Sequence, residues 1–185
     1  MKPENFNVAN LVAQRILPPA TESEAKNAVY AKLNELDIPF YAIDHPPVHG
    51  ADCVENYVPV DEHTVVVKNL YLRNDTGTKT WLVTECYHKH ADLVNLRAFL
   101  GSSRLGFCSP ERLWTGLGIR PGSVSPLCCM NDTEGKIPLI LDADLASYAY
   151  ICMHPNDNTG SVYLKYEDLL KFVRATGHEP IFYRV

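Results

Sequence analysis

One strand-like segment of the chain holds a lysine and an asparagine among apolar and β-branched residues. Residues 64–72 read TVVVKNLYL, with Lys68 and Asn69 at the centre. A run of this composition is typical of a strand that is buried on both faces. A lysine there costs free energy unless it is paired or contacts a substrate. Lys68 is therefore either a cation at the floor of a cleft, or a lysine that pairs with a core carboxylate or extends to solvent at the strand's end.

Lys68 and Asn69 are neighbours, and this limits how they can act together. Adjacent residues of a regular strand point to opposite faces of the sheet. The two side chains can share one pocket only if the strand contains a bulge or ends between them. We therefore expect such an irregularity if both residues take part in catalysis.

Two further segments have the composition of binding loops. Residues 121–126 read PGSVSP, a turn-forming sequence whose backbone N–H groups can converge on a carbonyl oxygen or another bound group. Residues 154–159 read HPNDNT, in which a histidine ends a predicted strand and a proline holds the turn that follows. Neither pattern is specific by itself. In the second, a single histidine in such a place is more often structural than catalytic.

The elements predicted around these segments mix helices and strands. Helical spacing and capping residues predict helices over residues 21–36, 92–100, 109–118, 142–148 and 166–176. β-rich runs predict strands over residues 38–44, 64–73, 80–85, 104–108, 137–141, 149–154, 161–165 and 180–184. The order lacks the strict β-α alternation of a parallel doubly wound sheet. We predict a mixed α/β or α+β domain, built on one curved mixed sheet or partial barrel with surrounding helices.

The composition fits one globular domain. The 185 residues are 46% hydrophobic and 21% charged, which are ordinary values for a soluble protein with a single core. The first twenty residues lack the pattern of a signal peptide, and no segment approaches the roughly 20 apolar residues of a membrane helix. We expect a soluble, cytoplasmic protein with an N-terminal arm at residues 1–20 and one domain at residues 21–185.

The charge is distributed unevenly along the chain. The formal net charge is -5, but residues 68–120 carry eight basic and four acidic side chains, a local charge of +4, so the rest carries -9. A locally positive stretch in an acidic protein suits contact with a short piece of RNA better than with a long duplex. A solvated face without a partner explains the charge equally well.

Cysteine and histidine usage argues against redox and metal chemistry. None of the six cysteines forms a C-x-x-C pair, which favours reduced and mostly buried thiols. The spacing of the seven histidines, including His88 with His90 and the group His45, His49 and His63, matches no standard zinc motif. We therefore expect neither a metal nor a cofactor, and rank a metal-dependent hydrolase low.

Short motifs resemble one family when they are taken in order along the chain. They are KNL at 68–70, LR at 72–73, LG at 100–101, SPERL at 109–113, LG at 117–118, GSVSP at 122–126, ND at 131–132, HP at 154–155, NT at 158–159 and GHEP at 177–180. The set resembles the YbaK-type aminoacyl-tRNA deacylases, free-standing relatives of the editing domain inserted in bacterial prolyl-tRNA synthetases. The resemblance covers about residues 23–182, and its style is closest to the branch that hydrolyses alanyl-tRNA(Pro).

The resemblance implies a fold, a substrate and a site. The fold is that of the editing domain, and the substrate is the 3′ acceptor end of a mischarged proline tRNA, whose aminoacyl ester is hydrolysed. Lys68 matches the family's essential lysine and is expected to neutralise the terminal phosphate or ribose, or to polarise the ester. Asn69, the other catalytic residue, would orient the aminoacyl group. The substrate-binding residues implied are Gly122, Ser123, Val124, Ser125, Pro126, His154 and Asn158.

Several points stay open at this stage. No catalytic triad is readable, so the chemistry is expected to rely on a bound water and the substrate's own ribose hydroxyl, with Cys128 or Cys129 as a less favoured nucleophile. A deacylase for cysteinyl-tRNA, seryl-tRNA or another small aminoacyl ester is an alternative, as is a tRNA-binding module that has lost the reaction. A prolyl-tRNA synthetase or an elongation factor is a further candidate partner, whereas DNA and membranes are not expected.

Overall fold

The computed structural model describes residues 6–15, 21–48 and 57–184. In these ranges the α-helices are Val8–Ala13 (α1), Glu24–Glu35 (α2), Leu93–Phe99 (α3), Pro110–Leu117 (α4) and Tyr166–Ala175 (α5). The strands are Tyr41–Asp44 (β1), Thr64–Arg73 (β2), Thr80–Cys86 (β3), Gly106–Phe107 (β4), Leu139–Asp142 (β5), Tyr150–Met153 (β6), Gly160–Lys165 (β7) and Ile181–Tyr183 (β8). Short 3-10 helices cover Pro126–Asn131 and Ala143–Ser147.

The strands described form one mixed sheet. Its order is β1-β7-β6-β2-β3-β5-β8, and β4 pairs with the end of β2. The hairpin β2–β3 is antiparallel, whereas β2 runs parallel to β6, β3 to β5 and β5 to β8. The predicted single domain with a mixed sheet and surrounding helices is confirmed.

Strand β2 changes partners along its length. Its first residues, Thr64–Val66, pair with β6, and Leu72 and Arg73 pair with β4 on the same side. On the other side β3 pairs with β2 continuously from Val67 to Arg73. In the described residues, the β6 side of β2 therefore has no strand beside residues 67–71. Lys68 and Asn69 lie at this gap in the sheet.

The two faces of β2 belong to different parts of the core. Val65, Val67 and Tyr71 pack into the largest apolar cluster, which includes residues of α2, α4 and α5. Val66 packs in a second cluster with Val8 of α1, and Leu72 packs in a third. Helix α1 lies inside the stretch expected to be an arm, where the sequence had predicted no helix. Its buried valines attach it to the face that carries Val66.

The structure differs from the predicted elements mainly after α4. The loop that follows contains the 3-10 helix Pro126–Asn131, which was not predicted. Ser125 caps it by accepting a hydrogen bond from the N–H of Leu127, and Pro126 stands at its first turn. The same Ser-Pro signal, at Ser109 and Pro110, correctly predicted the start of α4. The predicted helix over residues 142–148 is the 3-10 helix Ala143–Ser147, and the predicted strand 104–108 shrinks to Gly106–Phe107.

The cysteines that the structure describes are free thiols, as expected. Cys86, Cys128, Cys129 and Cys152 are buried, and Cys108 is partly buried. Cys53 lies outside the described residues. No helix in the described ranges is long and apolar enough to cross a membrane.

Candidate active site

The loop at residues 122–126 is fixed to β2 by Asn69. The Asn69 side chain donates from Nδ2 to the Val124 carbonyl at 2.9 Å. It also accepts at Oδ1 from the Thr84 hydroxyl of β3 at 2.7 Å. Both ends of the amide are therefore used, which fixes its orientation and joins the loop to the β2–β3 hairpin.

The N–H groups of this loop fall into two sets. The N–H of Ser123 donates to the Arg120 carbonyl at 3.1 Å, and the N–H of Ser125 contacts the Cys128 sulfur at 3.3 Å. The N–H groups of Gly122 and Val124 make no hydrogen bond to any residue that the structure describes. Backbone donors held in a rigid loop can bind a carbonyl oxygen or an oxyanion. The loop therefore has two donors available for a ligand.

Position 122 requires a glycine for two reasons, which are its backbone conformation and the closeness of Asn158. Its φ of +88° lies in the left-handed region, which favours glycine. A Cβ atom at this position would lie 3.2 Å from Nδ2 of Asn158. The structure thus brings two of the predicted binding residues, Gly122 and Asn158, into close approach.

The turn that carries Asn158 is held by the first turns of α2. The Ser23 hydroxyl donates to Asp157 Oδ2 at 2.7 Å. The Lys26 ammonium donates to Asp44 Oδ1 at 2.8 Å and to the Thr159 carbonyl at 2.9 Å. Since the Lys26 side chain is only 4% exposed, these contacts fix the turn from inside the protein.

His154 lies at the other end of the same turn. Its Nδ1 is 3.0 Å from the Gly160 carbonyl, so that nitrogen is the donor and Nε2 is left as an acceptor. The His45 ring centroid is 6.1 Å away, and His45 Nε2 contacts the Ser161 hydroxyl at 3.0 Å. Burial lowers the pKa of His154 below its usual value, which favours the neutral ring. A neutral ring is compatible with the predicted role of His154 in binding the substrate.

Lys68 projects from the face of β2 opposite to Asn69. The register pairs Lys68 with Glu85 and Asn69 with Thr84 without interruption, so the irregularity considered between Lys68 and Asn69 is absent and the two side chains do not share one pocket. The Lys68 ammonium lies 3.2 Å from Glu85 Oε1, in an ion pair whose carboxylate is 1% exposed and whose lysine side chain is 22% exposed. Burial raises the pKa of Glu85, and the ammonium opposes that rise.

Lys68 and His154 both lie just beyond the pairing between the parallel strands β2 and β6. Val66 pairs with Cys152, and each of the two residues follows two positions later on its own chain segment. Because β6 ends at Met153, strand alternation fixes the face of Lys68 but not that of His154. The contacts therefore bring Asn69, Asn158 and the loop at residues 122–126 together, whereas Lys68 projects from the other face of β2.

Sequence reasoning missed the residues that hold this arrangement. Glu85 was not singled out, although the predicted hairpin could have identified it. The turn at residues 74–79 places Arg73 opposite Thr80, and counting back along both strands places Lys68 opposite Glu85. Lys26 had no comparable signal, since its partners, Asp44 and Thr159, are distant in sequence.

The remaining candidate groups do not form a second reactive centre among the described residues. Burial raises the pKa of the Cys128 thiol, and raises that of Cys129 to about 12, so both are thiols at neutral pH and weak nucleophiles. No group of three or more His, Cys, Asp or Glu side chains suited to a metal occurs in the part of the chain that the structure describes. His49, one of the histidines considered for such a site, lies outside that part.

A family description of the aminoacyl-tRNA editing domain matches residues 45–172, more than half of the chain. The chain belongs to this family. The prolyl-tRNA editing protein ProX of Acetoanaerobium sticklandii is 37% identical over 157 residues, which cover 85% of this chain and 95% of that protein. The prolyl-tRNA synthetase associated domain-containing protein 1 of Mus musculus is 30% identical over 165 residues, covering 86% of this chain and 95% of that one.

A solved structure shares the fold of this editing-domain protein. It is described as a candidate trans-editing enzyme for prolyl-tRNA synthetase, and it matches with a TM-score of 0.69 at 18% identity, over 89% of this chain and 99% of that one. The family inferred from the ordered motifs is confirmed by the family match and by the similarity to ProX. So is the enzyme class, an aminoacyl-tRNA deacylase whose substrate is a mischarged tRNA.

Proposed function

We propose that this editing-domain protein hydrolyses alanyl-tRNA(Pro) in the cytoplasm and releases alanine and free tRNA. One observation carries the proposal. The loop at residues 122–126 offers the N–H groups of Gly122 and Val124 beside two amide side chains, Asn158 and the oriented Asn69. Relatives named for prolyl-tRNA editing and for association with prolyl-tRNA synthetase support proline tRNA as the carrier.

Alanine is the amino acid that such an enzyme is most needed to remove. A synthetase pocket built for proline cannot strongly reject a smaller side chain, since each missing methylene changes binding by only about 1–3 kcal/mol. A second pocket that is too small for proline solves this problem, because it admits alanine and excludes the correct product. The two pockets together form a double sieve.

The chemistry that we propose uses both sides of the gap beside β2. The N–H groups of Gly122 and Val124 stabilise the oxyanion that forms when water attacks the ester carbonyl. Asn69 orients the aminoacyl group through the loop that it fixes. Lys68 acts from the opposite face on the terminal phosphate or ribose, and the gap between β6 and β4 lets the terminal nucleotide reach it. The nucleophile is a water, with the vicinal ribose hydroxyl assisting, and His154 positions the substrate.

Deacylation assays on four substrates test the proposal. The wild type and Lys68→Ala are each given alanyl-tRNA(Pro), prolyl-tRNA(Pro), cysteinyl-tRNA(Pro) and alanyl-tRNA(Ala). We expect rapid release of alanine from the first substrate alone, and loss of that release in the variant. Faster release of cysteine from cysteinyl-tRNA(Pro) would reassign the amino acid. Binding of tRNA without hydrolysis of any ester would show that the protein is a tRNA-binding module and not a deacylase.

A further inference from the structure

A groove opens at the end of β2 that lies away from Lys68. It has a volume of about 420 Å³, and its lining includes Arg73, Arg112 and Phe107. A neighbouring cavity of about 310 Å³ shares Arg73 and adds Arg104. Three arginines from separate segments, β2, the loop before β4, and α4, thus line two cavities that share Arg73 and that the proposed chemistry does not use.

Two of these guanidinium groups are held in place by backbone carbonyls. Arg73 donates from Nη1 to the Asn74 carbonyl at 2.9 Å and to that of Asp75 at 3.2 Å. Arg112 donates from Nη1 to the Gly77 carbonyl at 2.8 Å. A guanidinium has five N–H donors in a fork, so each retains donors for an anion. Their orientation is fixed before any ligand binds.

An exposed aromatic side chain adjoins the arginines. Phe107 is 63% exposed, although large apolar side chains usually avoid water. The pairing of β4 with β2 places it beside Leu72, with Gly106 opposite Arg73. Arginine beside an exposed aromatic ring is the combination that binds single-stranded nucleic acid, because phosphates pair with the guanidinium and unstacked bases stack on the ring.

The charge of the groove favours such a ligand. The described residues that line the two cavities include three arginines and one acid, Asp75. The carboxylate of Asp75 accepts hydrogen bonds from the Ser103 hydroxyl and the Thr76 N–H, and these contacts lower its pKa. It therefore stays ionised and partly satisfied. The remaining positive charge belongs to the arginines, which agrees with the local excess of +4 in residues 68–120.

We propose that this groove binds the single-stranded 3′ end of the tRNA, upstream of the terminal nucleotide. The inference rests on the proposed function, which places that nucleotide near Lys68. Arg73 is five residues further along β2, or roughly 17 Å at the rise of a strand, and this odd offset places it on the same face as Asn69 and the loop that Asn69 fixes. A few unpaired nucleotides can cover that distance. In this arrangement Arg73, Arg104 and Arg112 hold backbone phosphates, and Phe107 stacks on a base.

The test compares two substrates with the same ester. One is alanyl-tRNA(Pro), and the other is 2′(3′)-O-alanyladenosine, which lacks the preceding nucleotides. In Phe107→Ala and Arg112→Ala, we expect KM for the tRNA to rise about tenfold, with kcat little changed. Hydrolysis of alanyladenosine should stay at the wild-type rate. Loss of one phosphate contact in Arg112→Ala should also reduce the slope of log KM against log salt by about 0.7.

Matched variants control for the loss of an exposed ring or charge. Phe182→Ala on β8 and Lys165→Ala at the end of β7 remove an exposed aromatic and an exposed cation elsewhere, and should leave both substrates unaffected. Wild-type KM and salt slope in the groove variants would overturn the inference, as would equal losses on both substrates. Because Phe107 contributes little to the core, its variant should fold normally, and thermal unfolding checks this.

A separate binding measurement distinguishes failure of this inference from failure of the proposed function. If the wild type hydrolyses neither ester, the deacylase proposal fails. Affinity for uncharged tRNA(Pro), measured by fluorescence anisotropy, still reports on the groove. Weaker binding by Phe107→Ala and Arg112→Ala than by the two control variants supports it, and equal binding by all four contradicts it.

Discussion

Two ion pairs, Lys26–Asp44 and Lys68–Glu85, differ in which member is buried. At α2 the lysine is the buried member, with a side chain 4% exposed, and Asp44 is 51% exposed. On β2 the carboxylate of Glu85 is the buried member, at 1%, and Lys68 is 22% exposed. Lys26 also donates to a backbone carbonyl, whereas Lys68 has the single ion-pair contact at 3.2 Å among the described residues.

The difference separates a lysine that fixes structure from one that can act on a ligand. An ammonium has three donors, and Lys26 directs two of them into the protein. Part of the Lys68 side chain stays exposed, and its remaining N–H donors are available. The carboxylate of Glu85 holds the ammonium of Lys68 close to the sheet. Both lysines are costly to bury, but Lys68 is the more exposed of the two and makes fewer contacts with the protein.

The largest effect that we expect is on the activity of Lys68→Ala. Removing one group that stabilises charge in a transition state typically costs 10²- to 10³-fold in kcat, and we expect a loss of that size for alanyl-tRNA(Pro). Single-turnover deacylation measures it. A loss of kcat below about threefold would show that Lys68, like Lys26, has a structural role.

Glu85 provides the control for that variant. Lys68→Ala leaves a buried carboxylate without its counter-ion, which is destabilising. We expect Glu85→Gln in the Lys68→Ala background to recover about 1–2 kcal/mol of the free energy of unfolding, while activity stays lost. Urea denaturation of the two variants measures the recovery. Recovery of activity together with stability would show that the first variant was merely misfolded.

Lys26→Ala should show the opposite pattern. It removes two charge-assisted hydrogen bonds from a buried site, and we expect the free energy of unfolding to fall by about 3 kcal/mol. The activity of the protein that remains folded should fall less than tenfold, because Lys26 reaches the substrate only through the turn at Thr159. Urea denaturation and deacylation at low temperature measure the two quantities. A selective loss of kcat with unchanged stability would contradict this assignment.

Gly122→Ala should have a smaller effect on stability that is concentrated at the site. Alanine in the left-handed region costs about 1–2 kcal/mol, and its Cβ must displace Asn158. We expect a stability loss of about 1 kcal/mol and a fall in kcat of about tenfold. Gly101→Ala is the matched control, since Gly101 has a similar φ of +57° and no atom within 4 Å of the added Cβ. Equal effects of the two variants on kcat would show that the loop at residues 122–126 has no specific role in catalysis.

The smallest effect concerns pH. Burial holds the pKa of His154 in the folded protein below the usual 6.5, so the unfolded chain takes up the proton first as pH falls. The free energy of unfolding should therefore decrease as pH drops below about 6.5 and level off above it. Urea denaturation at pH 7.5 and 5.5 measures this, and His154→Asn should show a weaker decrease. An identical pH dependence would mean that His154 titrates normally.

Local signals predicted much of the fold and part of the site. The bounds of β2 agree with the prediction, and the turn length of the β2–β3 hairpin was sufficient to pair Lys68 with Glu85. The cap at Ser109 located α4 for the same reason, since capping depends on neighbouring residues. The parallel pairing of β2 with β6 left no local signal, because it joins residues distant in sequence. Which residues face the gap in the sheet therefore had to come from the structure.

The partner change along β2 has a consequence for how the chain acquires its fold during synthesis. The β2–β3 hairpin closes over a short turn, so the Lys68–Glu85 pair is expected to form early. The pairing of β2 with β6 must wait until Cys152 has left the ribosome, and closing so long a loop is slow. Nascent chains would thus carry the ion pair without a working pocket from the emergence of β3 until that of β6, and we expect activity only after β6 and β7 have emerged.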